Sequence, residues 1–413
     1  MSSNQSLPKI DMNAPIASFK MIILPLLPKG PGVKNYMFNQ ADPVRAGLRP
    51  PQKIIDAVAK FGKQEDDWAY GSPIGDPYIR KKIAEGVNAR HGVHLTEDDV
   101  YISTGSVAGE LLPIIEAMSF VDHGAFMTPD PYYPSYYGVP RYYGMKLVTY
   151  ELKQPHWRIT RECLEKNWTP DVKYLCYTNP NNPTGRLFDE EEVKTLFEFC
   201  REKKIMVITD EVYWSCVFKG IKLESYMKYA HGVEIMLVQS FSKCFAVPGI
   251  RAGYMVKLQT IEGGRLEKVW NRVRDFLLLH ISGSTFASFI MREIVDNYPF
   301  EYFENADRCE TSARVMRERF LASPYVVTAG KVEGGIIGMH QFKLPPGMSS
   351  LEVAMEFVKV GVGALPGYCV SKQPEMENGW FRMTNMLTEA DTNDACDRIL
   401  GVLERLHKER GSH

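Results

Sequence analysis

The sequence predicts an α/β protein, with a mainly parallel central sheet flanked by helices and a smaller α+β unit following it. Three observations lead there. Short β-branched apolar runs alternate with helix-length amphipathic stretches from about residue 53 to 290, which is the pattern of βαβ units. Several of those runs stop at polar loops, and in open parallel sheets ligands gather at the carboxyl ends of strands. From about Glu301 the order changes to longer helices around two short strands. The chain therefore divides into an N-terminal arm with part of the small domain at residues 1–50, a large domain at 51–295 and a small C-terminal α+β domain at 296–413.

The elements follow in order. Met21 to Leu27 is apolar but broken by Pro25. It is far too short to span a membrane and reads as an arm packed on the body or on a partner subunit. Pro51 to Phe61 and Ile79 to Arg90 read as helices. Val100 to Ile102 is a short strand, and Glu110 to Met118 an apolar helix. Tyr174 to Tyr177, the run at Val207 and Ile235 to Val238 read as strands, with a helix over Asp189 to Lys203. Helix periodicity runs from about Glu301 through Arg319. Val326 to Val332 and Gly338 to Phe342 read as strands, and Leu351 to Val360 and Asp391 to His407 as helices. Low-complexity linkers and internal repeats are absent from the sequence.

Composition narrows the class. The 413 residues are 45% hydrophobic with a formal net charge of −1, enough for a large core. Near-neutral charge gives no electrostatic case for nucleic acid or an acidic membrane. The eight cysteines are scattered without a CxxC pair, and the nine histidines are dispersed. Reduced packing thiols fit better than disulfides or metal ligands, so no metal is expected. The polar N-terminus lacks a basic-then-apolar signal, which points to a cytoplasmic enzyme.

The chemistry concentrates in three strand-end loops. The buried run Ile235 to Val238 leads into Ser240-Phe241-Ser242-Lys243 and a turn at Pro248-Gly249, then Arg251. A lysine just past a buried strand suits a Schiff base with a carbonyl, once desolvation or a cation lowers its pKa. Ser240, Ser242 and Arg251 supply hydroxyls and a fixed cation for a phosphate. Together these suggest pyridoxal phosphate on Lys243; a lysine on a solvated loop is the bland alternative. In Val207 to Tyr213 the β-branched run ends at Asp210, a carboxylate that needs a partner. A protonated pyridine nitrogen would be one, and Tyr213 could reach the phenolic oxygen of the same ring. Asn179 to Gly185 is a loop fixed by two prolines and a glycine, able to hold the Asn182 amide rigidly.

The motifs NPNNPTG, TDEVY, SFSK with GIRAGY, and FRMTN resemble those of the class I/II aminotransferases, the aspartate-aminotransferase-like fold-type I pyridoxal phosphate enzymes. The resemblance runs from about Tyr36 to the C-terminal helix and implies the fold-type I PLP-transferase fold, with 51–295 as the cofactor-binding domain. It implies pyridoxal 5'-phosphate on Lys243, Asp210 at the pyridine nitrogen, and Asn182 and Tyr213 at the phenolic oxygen. Ser240, Ser242 and Arg251 would hold the phosphate with the amides of Gly105, Ser106 and Val107. Tyr133 would stack on the ring, its neighbours serving only packing. Arg382, in an apolar segment, would clamp the substrate α-carboxylate. Tyr70 would reach the neighbouring subunit's cofactor, which implies a homodimer with shared sites. At Ala41 many relatives have glycine, so a methyl there is expected to narrow the substrate pocket or shift the loop.

The reading is an aminotransferase that moves an amino group from an amino acid to a 2-oxo acid, with Lys243, Asp210 and Tyr213 as the catalytic set. Another pyridoxal phosphate reaction on the same scaffold is the alternative: β- or γ-elimination, a cyclopropane-forming synthase or an oxygen-dependent amino-acid oxidase. A non-catalytic regulator that senses the cofactor comes third, and the chain shows no DNA-binding extension for it.

Overall fold

A computed structural model describes residues 7–63 and 65–411. Its seven-stranded central sheet comprises β1 (Val100–Ser103), β2 (Ala125–Asp130), β3 (Leu147–Glu151), β4 (Val172–Thr178), β5 (Met206–Asp210), β6 (Ile235–Ser240) and β7 (Gly253–Gln259). The spatial order is β1-β7-β6-β5-β4-β2-β3. Only β7 runs antiparallel to its neighbours; the other pairings are parallel. Every residue of β2, β5 and β6 is buried. Full burial is why the runs at β5 and β6 read as apolar from sequence, since helices cover both faces of a parallel sheet, whereas β2, AFMTPD, carries Thr128, Pro129 and Asp130 and gave no such run. Because β2, β4, β5 and β6 are parallel, Asp130, Thr178, Asp210 and Ser240 all end on one edge. Thr178 pairs with Asp210, and Asp210 with Val238.

A second sheet, wholly antiparallel, has the order β10-β11-β9-β8. Its strands are β8 (Val326–Ala329), β9 (Ile337–Phe342), β10 (Leu365–Pro366) and β11 (Trp380–Thr384). The N-terminal stretch returns to it. Tyr36 N–H bonds the Gly361 carbonyl, Asn39 N–H the Gly363 carbonyl, and Thr384 N–H the Phe38 carbonyl.

Several elements differ in extent from the sequence reading. The helix expected at Glu110 begins at Ser106 with π-helical turns through Leu111, then continues as α-helix over Leu112–Val121. The strand expected to reach Val332 stops at Ala329. Gly330 follows it, and a Cβ there would lie 2.5 Å from the Met339 carbonyl oxygen. The helix expected from Glu301 starts at Ala306, and the last helix is longer, Glu389–Gly411. The arm is a helix over Pro15–Ile23 with a tight turn at Leu24–Leu26. It buries Phe19 and Ile23, and leaves Met21 exposed. All eight cysteines are free and buried. Among the described residues no helix is long and apolar enough to cross a membrane.

Candidate active site

The end of β6 places Lys243 under the residues that follow Asn39. Its Nζ donates to the Ala41 carbonyl at 2.6 Å. Burial, with the Arg382 guanidinium beside it, pushes the ammonium down to about 8. Near neutral pH this lysine therefore has a sizeable free-base fraction, as an amine nucleophile requires. The Ala41 position thus meets the lysine through its backbone, where a narrowing methyl was expected to matter.

Asp210, at the end of β5, is buried. Its Oδ1 accepts from Val212 N–H and its Oδ2 from the Tyr136 hydroxyl, both at 3.0 Å. Burial outweighs these donors and pushes its pKa up to about 6. A carboxylate in this state is short of a positive partner. Tyr136 corrects the sequence reading, which gave the neighbours of Tyr133 packing roles only. The helix over Pro134–Tyr142 starts just after Tyr133 and turns Tyr136 towards the carboxylate. The signal available in the sequence was the need of a buried Asp210 for a donor.

A second cluster surrounds the start of the helix that follows β1. Gly105 has φ +80°, and a Cβ there would sit 2.4 Å from Nη2 of Arg251. Only glycine lets the guanidinium come so close to the first turn. Ser106 and Val107 form that turn, where backbone amides point out of the helix and favour an anion. Arg251 Nη1 donates to the Pro248 carbonyl at 2.9 Å. The Ser240 and Ser242 hydroxyls bond each other at 2.8 Å. Two hydroxyls, a guanidinium and a helix N-terminus are thereby gathered within one short stretch of structure.

Arg382 lies at the centre of β11 and is 1% exposed, yet its Nε and Nη1 have no hydrogen-bond partner. Burial holds its pKa below the usual arginine range, while Tyr213 and Tyr133 nearby act in the other direction. An uncompensated buried charge is costly, so the guanidinium calls for an anion. Asn182 is similar: it is buried and its Oδ1 is unpartnered. The neighbouring amides are spent on the loop itself. Asn179 Oδ1 accepts from Phe188 N–H at 3.1 Å, and Asn181 Oδ1 from the Thr184 hydroxyl at 2.7 Å. Tyr213 is buried, with its ring against Gly335. Tyr133 is half-buried. Tyr70 is 85% exposed, and the residue after it, Gly71, lines a cavity with Arg251.

The family model described as aminotransferase class I and II matches residues 38–399. The chain belongs to this family.

The aminotransferase is similar to nicotianamine aminotransferase 1 of Oryza sativa subsp. japonica, 24% identical over 369 residues, which is 88% of this chain and 73% of that protein. Among solved structures, the alanine aminotransferase of Pyrococcus furiosus superposes with a TM-score of 0.84 at 23% identity, covering 98% of this chain and 100% of the other. The tyrosine aminotransferase of Leishmania infantum gives 0.81 at 19% identity, over 98% and 100%. At these identities the structural likeness speaks for the fold alone.

The family works with pyridoxal 5'-phosphate, and this chain's residues fit that group. Lys243 offers a depressed amine for its carbonyl, and Asp210 lacks a cation. Arg251, Ser240, Ser242 and the 105–107 turn would cradle its phosphate, and the Asn182 side chain has an unpartnered Oδ1. Among the described residues no group of three or more His, Cys, Asp or Glu side chains is placed to hold a metal ion.

Proposed function

We propose that this aminotransferase carries pyridoxal 5'-phosphate on Lys243 and moves the amino group of an amino acid with a free α-carboxylate to a 2-oxo acid. The observation that carries the reading is Arg382: a guanidinium 1% exposed, with two nitrogens unpaired, beside a lysine whose amine is depressed to about 8. A carboxylate matches such a guanidinium with two parallel hydrogen bonds. An amino acid docked there is held with its amine and Cα hydrogen near Lys243, which makes the reaction effectively intramolecular.

When bound, the cofactor supplies an electron sink that stabilises negative charge developing at the substrate Cα. The chain's residues do the rest. Asp210, oriented by Tyr136 and the Val212 amide, keeps a proton on the pyridine nitrogen. Asn182 and Tyr213 present donors to the phenolic oxygen. Tyr133 covers the ring face, and the Gly105, Ser106, Val107, Ser240, Ser242 and Arg251 group holds the phosphate. Lys243 Nζ would take the proton from the substrate Cα and hold it for return. Its contact with the Ala41 carbonyl marks where the free amine waits.

We also propose a cytoplasmic homodimer. Tyr70 is 85% exposed, Trp68 74% and Leu279 83%, and Gly71 N–H bonds the Ser282 hydroxyl at 2.8 Å, which ties the Tyr70 loop to the segment after Leu279. An exposed aromatic and aliphatic patch of this kind suits a subunit interface across which Tyr70 reaches the second site. The division into residues 1–50, 51–295 and 296–413 fits the two sheets and the pairing of residues 36–39 with the smaller one. The deciding experiment mixes loaded protein with each common amino acid, in the absence of 2-oxo acid, and follows the cofactor absorbance. Conversion to the pyridoxamine form, reversed by a 2-oxo acid without oxygen uptake, is expected. Elimination products or oxygen consumption would replace the aminotransferase reading with another chemistry.

A further inference from the structure

Asp130 closes β2 with a carboxylate that the site described above does not use. It is 1% exposed, and every side-chain hydrogen bond recorded for it comes from one segment of the chain, residues 371–373. The Ser371 hydroxyl donates to Oδ1, and Lys372 N–H donates to Oδ2 at 2.9 Å. Gln373 Nε2 donates to the Asp130 carbonyl at 2.6 Å and reaches Oδ1 at 3.4 Å. One residue earlier on the strap, the Val370 carbonyl accepts from Tyr132 N–H at 2.8 Å. Gln373 N–H bonds the Ser371 hydroxyl at 3.0 Å, so the strap is itself braced.

The two ends of this tie lead to different parts of the site. The β2 end continues directly into Tyr133 and Tyr136. The strap begins at β10, where Leu365 pairs with Arg382 and Pro366 with Phe381. Cys369, between β10 and the tie, is buried close enough to Arg382 to feel its charge. The strap is thus paired with the Arg382 strand at one end and bonded to the Tyr133 loop at the other. A buried carboxylate is a demanding way to join two segments, since each donor lost leaves it unsatisfied. It is also a stiff one, because three donors fix both oxygens.

We propose that Asp130, through Ser371 and Gln373, is a positioning residue that sets the spacing between the α-carboxylate clamp Arg382 and the ring-facing Tyr133. The inference rests on the proposed role of Arg382 in holding the substrate carboxylate. Asp130 touches neither substrate nor cofactor. Its effect is on where the bound amino acid sits relative to Lys243, and a small displacement of a clamp is enough to weaken recognition.

The test is made on loaded protein with the strap-side double variant Ser371→Ala/Gln373→Ala, which leaves β2 untouched. The half-reaction is followed for an amino acid that the parent enzyme converts and for the matching amine without the carboxylate. The double variant is expected to raise the half-saturating concentration of the amino acid by about tenfold or more, leaving the limiting rate and the response to the amine nearly unchanged. Asp130→Asn is expected to stay close to the parent, because the Ser371 hydroxyl can turn to accept from the new amide in the place of Oδ1 while the amide oxygen, in the place of Oδ2, keeps the Lys372 N–H. Should the double variant fail to fold, Gln373→Ala, on the half-exposed side of the tie, is expected to give a smaller shift in the same direction. Equal shifts for amino acid and amine, or none for either, would overturn the proposal and leave the strap as structural joinery. If the parent converts no amino acid at all, the aminotransferase reading fails on that arm, separately from the strap.

Discussion

Asp210→Asn is expected to act in opposite directions on the cofactor-free and the loaded protein. Without cofactor, Asp210 has the Tyr136 hydroxyl and the Val212 amide as donors, and burial pushes its pKa from 3.8 to about 6. Each pKa unit is worth about 1.36 kcal/mol, so keeping this carboxylate ionised at neutral pH costs the fold ~3 kcal/mol. The folded chain binds the proton more tightly than the unfolded one, so this loss is absent below 3.8 and complete once pH has risen through about 6. Asparagine is neutral and nearly isosteric. Its Oδ1 keeps the Val212 N–H, and its NH₂ meets a Tyr136 hydroxyl free to turn and accept. The cofactor-free variant should therefore be more stable than the parent by up to ~3 kcal/mol at neutral pH, the gain fading towards about pH 4. In the loaded enzyme the pyridinium offsets the carboxylate's cost, and losing that charge should lower turnover by about 10²–10³. Urea unfolding of both cofactor-free proteins across this pH range measures the first effect, and single-turnover rates the second. A cofactor-free variant less stable than the parent at neutral pH, or a difference independent of pH, would refute the reasoning.

Borohydride treatment of loaded protein should fix the cofactor covalently to Lys243, read by peptide mass spectrometry; Lys243→Ala should lose turnover with its circular dichroism intact, and a label on any other lysine would move the site. Arg382→Lys should weaken amino acids far more than the matching amines, by about 2–3 kcal/mol, since one ammonium cannot make the two parallel bonds of a guanidinium; calorimetric titration of both compounds checks it. Tyr136→Phe removes one donor from a buried carboxylate and should cost about 1–2 kcal/mol in transition-state stabilisation, with cofactor retained; kcat/KM at fixed pH reports it.

Much of the fold and the site's cast was legible because it lives in local pattern. β5 and β6 are buried along their whole length and so read as apolar runs, and the chemistry follows each strand directly in sequence. Lys243, Asp210 and Asn182 could each be named from a single loop. Tyr136 could not, because its role depends on a helix turning it towards a carboxylate on a different strand. The tie between Asp130 and residues 371–373 spans more than half the chain and leaves no periodic mark. Ala41 was read through its side chain, while the structure uses its carbonyl, an atom every residue has. Sequence types report what side chains can do; backbone partnerships at long range are settled only by the fold.

Lys243, Asp210 and Arg382 share one physical condition. Each is a buried or half-buried ionisable group with no ion-pair partner among the described residues. Burial pushes Lys243 down to about 8 and Asp210 up to about 6, and Arg382 keeps two nitrogens without acceptors. Such strain persists where it serves a ligand. A ligand with a carbonyl, a pyridinium and a phosphate relieves the first two and fills the cradle at Gly105 and Arg251. Binding only the folded chain, it adds about 2.7 kcal/mol of stability at a hundredfold excess over its dissociation constant. On the proposed function Arg382 is left for last, since the phosphate would go to Arg251 and the 105–107 turn. The α-carboxylate of an amino acid would then be the group that discharges it. The energy released on pairing that guanidinium is what the site has available to hold the substrate Cα against Lys243.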